Sequence, residues 1–414
     1  MSAKNIILGA IAVASVASGA QAKTQTAVEK RLDEMEKTID AQRAEIDSLK
    51  AQVAQTPQQP AEDVATVSDL QQIQQAVAES TAATKKATKG WWSDTKVTGR
   101  MYWDLSTIQH DINGVDQPDQ GVGFDIKRFY IGVDHKFNDI FSGNITTDFQ
   151  YSSALSATEL YIKKAYLEAK LSDALVIRAG STDLPWVPFV EDVYGYRYVE
   201  NTLIDRTKFG TSADWGVHAS GKLAGGLVNY AVAVVDGAGY KKPLRSQGMD
   251  VEGRVNLNYQ SFIVGVGGYY GKLGKDTTNS ATKTTSASRF DALVAYKTDT
   301  WRLGAEYFSA DDWAVTSKDS AEGYGVFGSY QFNPQWGVFA RYDYVEPNQD
   351  TKSKLSNDYY NVGISYSPAK IVDFSLVYKH DTAENGTIAD SNGTIGGSID
   401  GDYDEIGIFS QFRF

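Results

Sequence analysis

From Trp91 onward the sequence predicts an all-β fold, a transmembrane antiparallel β-barrel of about sixteen strands, with an α-helical coiled coil ahead of it. Three observations predict the barrel. Apolar and polar residues alternate with a period of two, connections alternate between short and long, and large aromatic rings gather where strands meet the short turns. A soluble sandwich would also alternate, but it would bury its apolar face and have no reason to sort its turns by length.

The alternation is explicit in "KVTGRMYWDL", where Val97, Gly99, Met101, Trp103 and Leu105 share one face and Lys96, Thr98, Arg100, Tyr102 and Asp104 the other. "RFYIGVDHKF" sets Phe129, Ile131, Val133 and Phe137 against Arg128, Tyr130, Asp134 and Lys136. "WRLGAEYF" and "WGVFARYDY" repeat it, with Arg302, Glu306, Arg341 and Asp343 on their polar faces. Strands are expected to start near residues 95, 124, 141, 160, 174, 210, 227, 248, 262, 288, 301, 322, 335, 357, 373 and 402. Long connections fall near 107–122, 152–158, 182–209, 237–247, 272–287, 310–321, 347–356 and 383–401, and short turns separate them. Turns such as "FNPQW" (332–336) and "FNDIF" (137–141) are clamped between rings, as an aromatic girdle at a membrane interface requires.

The segment before the barrel reads differently. Residues 1–22 carry Lys4, an apolar run from Ile6 and Ala20-Gln21-Ala22, the pattern of a cleaved export signal. In 23–60 the positions Val28, Leu32, Met35, Ile39, Gln42, Ile46, Leu49 and Val53 keep a heptad seam. The β-branched residues at one set of core positions lean toward a dimer. "TPQQP" at 56–60 ends that helix, and 61–90 reads as a helical linker to a barrel domain at 91–414.

Composition narrows the function. A formal charge of −12 argues against nucleic acid as a partner, and the absence of cysteine excludes disulfide frameworks and thiolate metal sites. "GYGVFG" at 323–328 lies inside a strand rather than between a strand and a helix, so it is no dinucleotide fingerprint. His110, His135, His218 and His380 have no metal-ligand spacing, and "DGDYDE" at 400–405 lacks that of a calcium loop. No enzyme, metal site or cofactor is expected.

The third long connection, "TDLPWVPFVEDVYGYRYVENTLIDRTKFG", carries too many rings to lie in water and is expected to fold into the lumen as a constriction. Its expected pore residues are Arg197, Arg206, Lys208, Glu191, Asp192 and Tyr196. Strand parity adds Arg100, Arg128, Lys170, Arg178, Arg254, Arg302, Arg341 and Lys379 as pore-lining bases.

The stretches "KRFYIGV", "FSGNITTDFQY", "KKAYLEAKLSDALVIRAGSTDLPW", "FVEDVYGYRYVENT" and the terminal "IFSQFRF" together resemble the phosphate-selective porins O and P over roughly residues 90–414. The resemblance implies a sixteen-stranded homotrimer in the bacterial outer membrane, with its third loop in the pore and basic residues guiding anions. The expectation is a water-filled channel for small hydrophilic solutes, anions such as phosphate among them. A mainly structural protein, its periplasmic coiled coil reaching the cell wall, is the alternative. The acids Glu191, Asp192, Glu200 and Asp205 in the same loop depart from a strongly basic phosphate pore.

Overall fold

The computed structural model describes residues 91–153, 157–277, 284–315 and 318–414, with the single position Gln75. The export signal, the heptad seam and nearly all of the linker lie outside the described residues. Residues Thr88–Phe414 form one compact unit.

Sixteen long strands make up the barrel: β1 Thr95–Ile112, β2 Gly121–Lys136, β3 Phe141–Ser152, β4 Ala157–Ser172, β5 Leu175–Asp183, β6 Ala213–Leu223, β7 Val228–Val235 and β8 Asp250–Tyr259. The second half comprises β9 Phe262–Gly271, β10 Ala287–Lys297, β11 Trp301–Asp311, β12 Ser320–Gln331, β13 Trp336–Glu346, β14 Ser356–Ala369, β15 Val372–Glu384 and β16 Asp400–Arg413. Each strand pairs antiparallel with the next, and β16 pairs back onto β1 from Arg100↔Arg413 to Ile112↔Gly401. Phe414 completes the seam, since it and Gly99 exchange backbone hydrogen bonds of 3.0 and 3.2 Å. Closure removes the sheet edges, whose unpaired amides would be untenable in hydrocarbon.

Every predicted strand start lies within three residues of an observed one. β1 is longer than expected and runs past residue 107 to Ile112, because its outer end pairs with Asp402 and Tyr403 of β16 and with Val115–Asp116. The face holding Leu105, Ile131, Val133, Leu303, Val326 and Ile364 is exposed on the outside of the barrel, whereas Asp104, Glu306, Arg341 and Asp343 are buried inside it.

The recurring turns share one device. Asn333 Oδ1 accepts the N–H groups of Gln335 and Trp336, both at 2.9 Å, and Asn138 Oδ1 accepts those of Ile140 and Phe141 at 2.9 and 2.8 Å. In the turn before Trp301, Thr298 Oγ1 takes the same place. A side chain that imitates a backbone carbonyl lets the strand reverse within a few residues. The flanking rings then pair across strands, Trp301 with Tyr330 at 4.4 Å and Trp336 with Tyr366 at 4.5 Å.

Register shifts occur near the short turns at Lys170–Ser172 and Tyr366–Ala369, and two others break parity within the wall. Tyr102 pairs with Arg128 and Trp103 with Ile126, so Lys127 is an extra residue in β2. Thr146 pairs with Lys164 and Thr147 with Ile162, which makes Lys163 extra in β4. A bulge re-aims its side chain and offsets the register by one residue, after which antiparallel pairing resumes.

The outside face gives a direct test. Val362 lies mid-strand on β14, paired with Ala340 and Tyr378 and half exposed to lipid. Val362→Arg is expected to cost about 2–4 kcal/mol near the bilayer midplane, measured by denaturant titration of the barrel in vesicles. A neutral result would reverse the assignment of inside and outside.

Candidate pore constriction

The connection between β5 and β6, residues 184–212, folds into the barrel. It carries two short helices, α1 Val187–Tyr194 and α2 Leu203–Arg206. Pro188 lies in the first turn of α1, where no N–H is missed, and Gly195 ends it in the left-handed region at φ 83°, donating its N–H to Glu191 O. Trp186, Val187, Val190, Val193, Tyr194, Tyr196, Tyr198, Leu203, Ile204 and Phe209 form an apolar core with Leu293, Phe308, Phe327, Phe339 and Val377 of the wall. Tyr196 stacks on Phe339 at 4.0 Å. Glycine makes the close approach possible: a Cβ on Gly267 would meet the Trp186 ring at 2.6 Å, and one on Gly265 the Phe189 ring at 2.8 Å.

Charge fixes what packing positions. Arg254 donates to Pro185 O at 2.7 Å, Lys297 to Asp192 at 2.7 Å and Arg302 to Asp192 O at 3.3 Å. Arg341 donates to Asn201 O and Arg289 to Phe209 O, while Lys379 pairs with Glu200 at 3.2 Å. In return, Glu252 and Glu306 accept the loop N–H groups of Trp186 and Leu203 at 2.9 and 3.2 Å. Burial alone would raise the Glu200 carboxyl, but Lys379 and Lys127 outweigh it and hold the group below the usual carboxylate range.

The sequence expected Arg206 among the pore bases, and the structure corrects this. Its side chain is fully buried, held by Asp343 at 3.1 Å, Asp381 at 3.2 Å, Asp390 at 2.9 Å and Asn357 at 2.9 Å, with the Tyr359 ring 4.4 Å from the guanidinium carbon. Tyr196 is likewise buried in the loop core. Arg254, Arg341 and Lys379 brace the loop from the wall of β8–β15; Arg302, which also touches it, still lines the open space on the short-turn side of the loop. Lys170 and Arg178 stand near the short turns, paired with Asp173 and Glu168 at 2.8 Å each.

The opposite wall, β1 to β5, is less covered, with Tyr102 and Tyr130 packed against the loop core. Here the lumen divides into a vestibule of about 920 Å³ on the short-turn side and one of about 410 Å³ on the long-loop side. Arg197 lines both, so it marks the narrow point between them. It pairs with Glu191 at 2.6 Å and Asp205 at 3.6 Å. Burial raises the Asp205 carboxyl above its ordinary value despite Arg197 beside it. Arg100 and Arg128 project from the β1–β5 wall, Arg128 lying 3.8 Å from Asp148. Lys208 is exposed in the long-loop vestibule, and Asp192 is exposed at the rim of the short-turn vestibule with Lys297.

Parity missed the two bulge lysines. Lys127 reaches Asp104 at 3.7 Å. Lys163 donates to the Tyr130 hydroxyl at 3.4 Å and lies 4.8 and 5.8 Å from the Tyr130 and Tyr240 rings, with no carboxylate at ion-pair distance among the described residues. The doublet "KK" at 163–164 was the available signal, since two adjacent lysines cannot both obey parity without placing one in lipid. Lys241, between β7 and β8, also overlooks the long-loop vestibule, 4.6 Å from the Tyr161 ring.

No protein-family model matches the chain and no curated protein does. Solved structures do match in fold. The barrel is similar to the anion-selective porin of Comamonas acidovorans at a TM-score of 0.57 and 10% identity, covering 77% of this chain and 99% of that one. It is similar to OprB of Pseudomonas putida at 0.55 and 10%, covering 78% and 94%. OmpT of Vibrio cholerae, solved in a trimer form, gives 0.52 and 13%, covering 77% and 99%. The chain has the porin fold, and a barrel with this lipid-facing band belongs in a bacterial outer membrane.

Two outcomes follow from the site. Arg206→Ala leaves Asp381 and Asp390 buried without their base, while Asp343 keeps Arg341, and is expected to destabilise the seated loop by about 3–5 kcal/mol, read as faster hydrogen exchange at the amides of 197–209. Lys241 is the second. Burial, then Arg128, pulls its ammonium down to about 8, so the vestibule loses a positive charge as pH rises through that value. Reversal potentials in a salt gradient are expected to drift toward cations between about pH 7 and 9 in the native protein, and to stay level in Lys241→Gln.

Proposed function

We propose that the protein is a passive channel for small hydrophilic solutes that favours anions. The observation that supports it most is how charge is exposed around Arg197. In the pairs Lys127–Asp104 and Arg128–Asp148 the carboxylate is fully buried, while the base keeps 28% and 18% of its surface. Lys163 rests on tyrosine rings, and Arg100 is exposed in the short-turn vestibule. At the Lys127 and Arg128 pairs a solute meets cationic tips whose counter-charges lie behind them; at Arg197 the base keeps 12% of its surface and its partners Glu191 and Asp205 keep 18% and 15%. Two charges 4 Å apart interact by about 1 kcal/mol in bulk water and roughly four times that at an effective dielectric near 20, so the bases at the eyelet count for more than acids on the wide mouths. Phosphate as a solute rests on the resemblance alone.

The trimer and the periplasmic coiled coil belong to the same proposal. OmpT, a porin-fold neighbour, has been solved as a trimer. β1 begins at the short-turn end of the barrel, the periplasmic end of such folds, so the heptad segment would reach into the periplasm.

Planar-bilayer recordings test the channel. Replacing Arg128, Lys163 and Arg197 together by glutamine is expected to move the reversal potential from the anion side to the cation side. Neutralising Lys170 and Arg178 at the turns should change it far less. Equal shifts in the two variants would show that the eyelet does not set selectivity, and a native barrel without conductance would leave the structural alternative standing.

A further inference from the structure

The long connection between β15 and β16 holds a small hairpin, Thr387–Asp390 paired with Gly393–Gly396. It turns into the barrel rather than out to solvent. Ile388 and Ile395 are buried against Ile108, Ala383 and Tyr403. Its tip forms part of the long-loop vestibule, facing Arg197, Glu200 and Asp205 of the constriction loop.

We propose that this hairpin is a movable lid over the extracellular mouth of the constriction, seen here in its seated position. Three features of the geometry support motion over a fixed plug. The tip is held by polar contacts: Asp390 to Arg206 at 2.9 Å, Ser391 to Glu200 at 2.7 Å and Asn392 to Asp381 at 2.8 Å. Water can replace each of these once the tip withdraws.

The socket is also charge-balanced without the lid. Arg206 and Arg341 face Asp343 and Asp381 there, and Asp390 enters as a third carboxylate. Withdrawing Asp390 therefore leaves no uncompensated charge behind.

Finally, both feet of the hairpin sit on residues at positive φ. Asn385 and Gly386 take φ values of 60° and 156°, and Gly396, at φ 88°, is followed by Gly397. These positions absorb backbone rotation that other residues resist.

The lid would set how wide the outer mouth stands, so its role rests on the channel reading, but its motion can be read without any ion current. The chain contains no cysteine, which leaves a clean background for one reporter thiol. Ile395→Cys places it at a fully buried lid position, and Ile399→Cys, in a separate variant, places a control where 68% of the side chain is exposed. A membrane-impermeant thiol reagent is added outside cells or proteoliposomes. It is expected to label the folded I395C barrel more slowly than the I399C barrel, yet to completion. Ser391→Ala with Asn392→Ala should raise the I395C rate relative to the I399C rate at least tenfold.

Complete protection of the I395C thiol in both backgrounds, with I399C labelled normally, would make the hairpin a fixed strut and overturn the proposal. Replacing 387–396 by a short Gly-Ser linker should raise single-channel conductance. Unchanged conductance in a barrel that still migrates as folded would also count against the lid. Labelling of I395C in a barrel that carries no current would uphold the motion and sink the channel reading, so the two failures are separable.

Discussion

A backbone amide in hydrocarbon has no water to bond to, and that single restriction organises this molecule. It forces the strands to pair with one another all the way round, so β16 must find β1, and Phe414 completes the seam with Gly99. Closure in turn fixes parity. Once β1 shows Leu105 to lipid, Asp104 and Ser106 must face inward, and each neighbouring strand inherits the choice through its register.

The lumen so created is too wide for the wall to fill, and the protein divides it unequally. The constriction loop packs its aromatic core onto β8 to β15 and is pinned there by bases that a simple count would assign to the pore. Those charges cost desolvation, and they hold the loop because each finds a carbonyl or carboxylate of fixed geometry. The opposite wall is less covered, and the two vestibules lie along it. Arg341 and Arg128 are both inward-facing arginines, yet one clamps the loop and the other lines the long-loop vestibule, because only one of them stands behind the loop.

Arg206 shows how the two internal elements meet. It sits on the constriction loop, reaches the wall at Asp343 and Asp381, and touches the β15–β16 hairpin at Asp390. Buried ion pairs of this kind specify arrangement more than they add stability, since most of their Coulomb energy offsets dehydration. The position of the constriction and the position of the outer hairpin are thereby read from one guanidinium.

What the sequence by itself determined was the barrel: its strand number, its inside and outside, its short and long ends, and which loop would turn inward. These are properties of period and composition, local along the chain, because lipid on one side and water on the other act on each strand separately. Only the tertiary structure decided which charges face the open lumen. Arg206 and Arg197 are nine positions apart in one loop and look alike in sequence, but one is buried among three carboxylates and the other stands between the two vestibules. Lys127 and Lys163 reach the lumen through bulges that parity does not foresee, since a bulge is set by how two strands fit rather than by either alone. The role of a charged side chain in a lumen depends on which partner lies within a few ångströms of it, and the partners of Arg206 are brought from more than a hundred residues away by closure of the barrel.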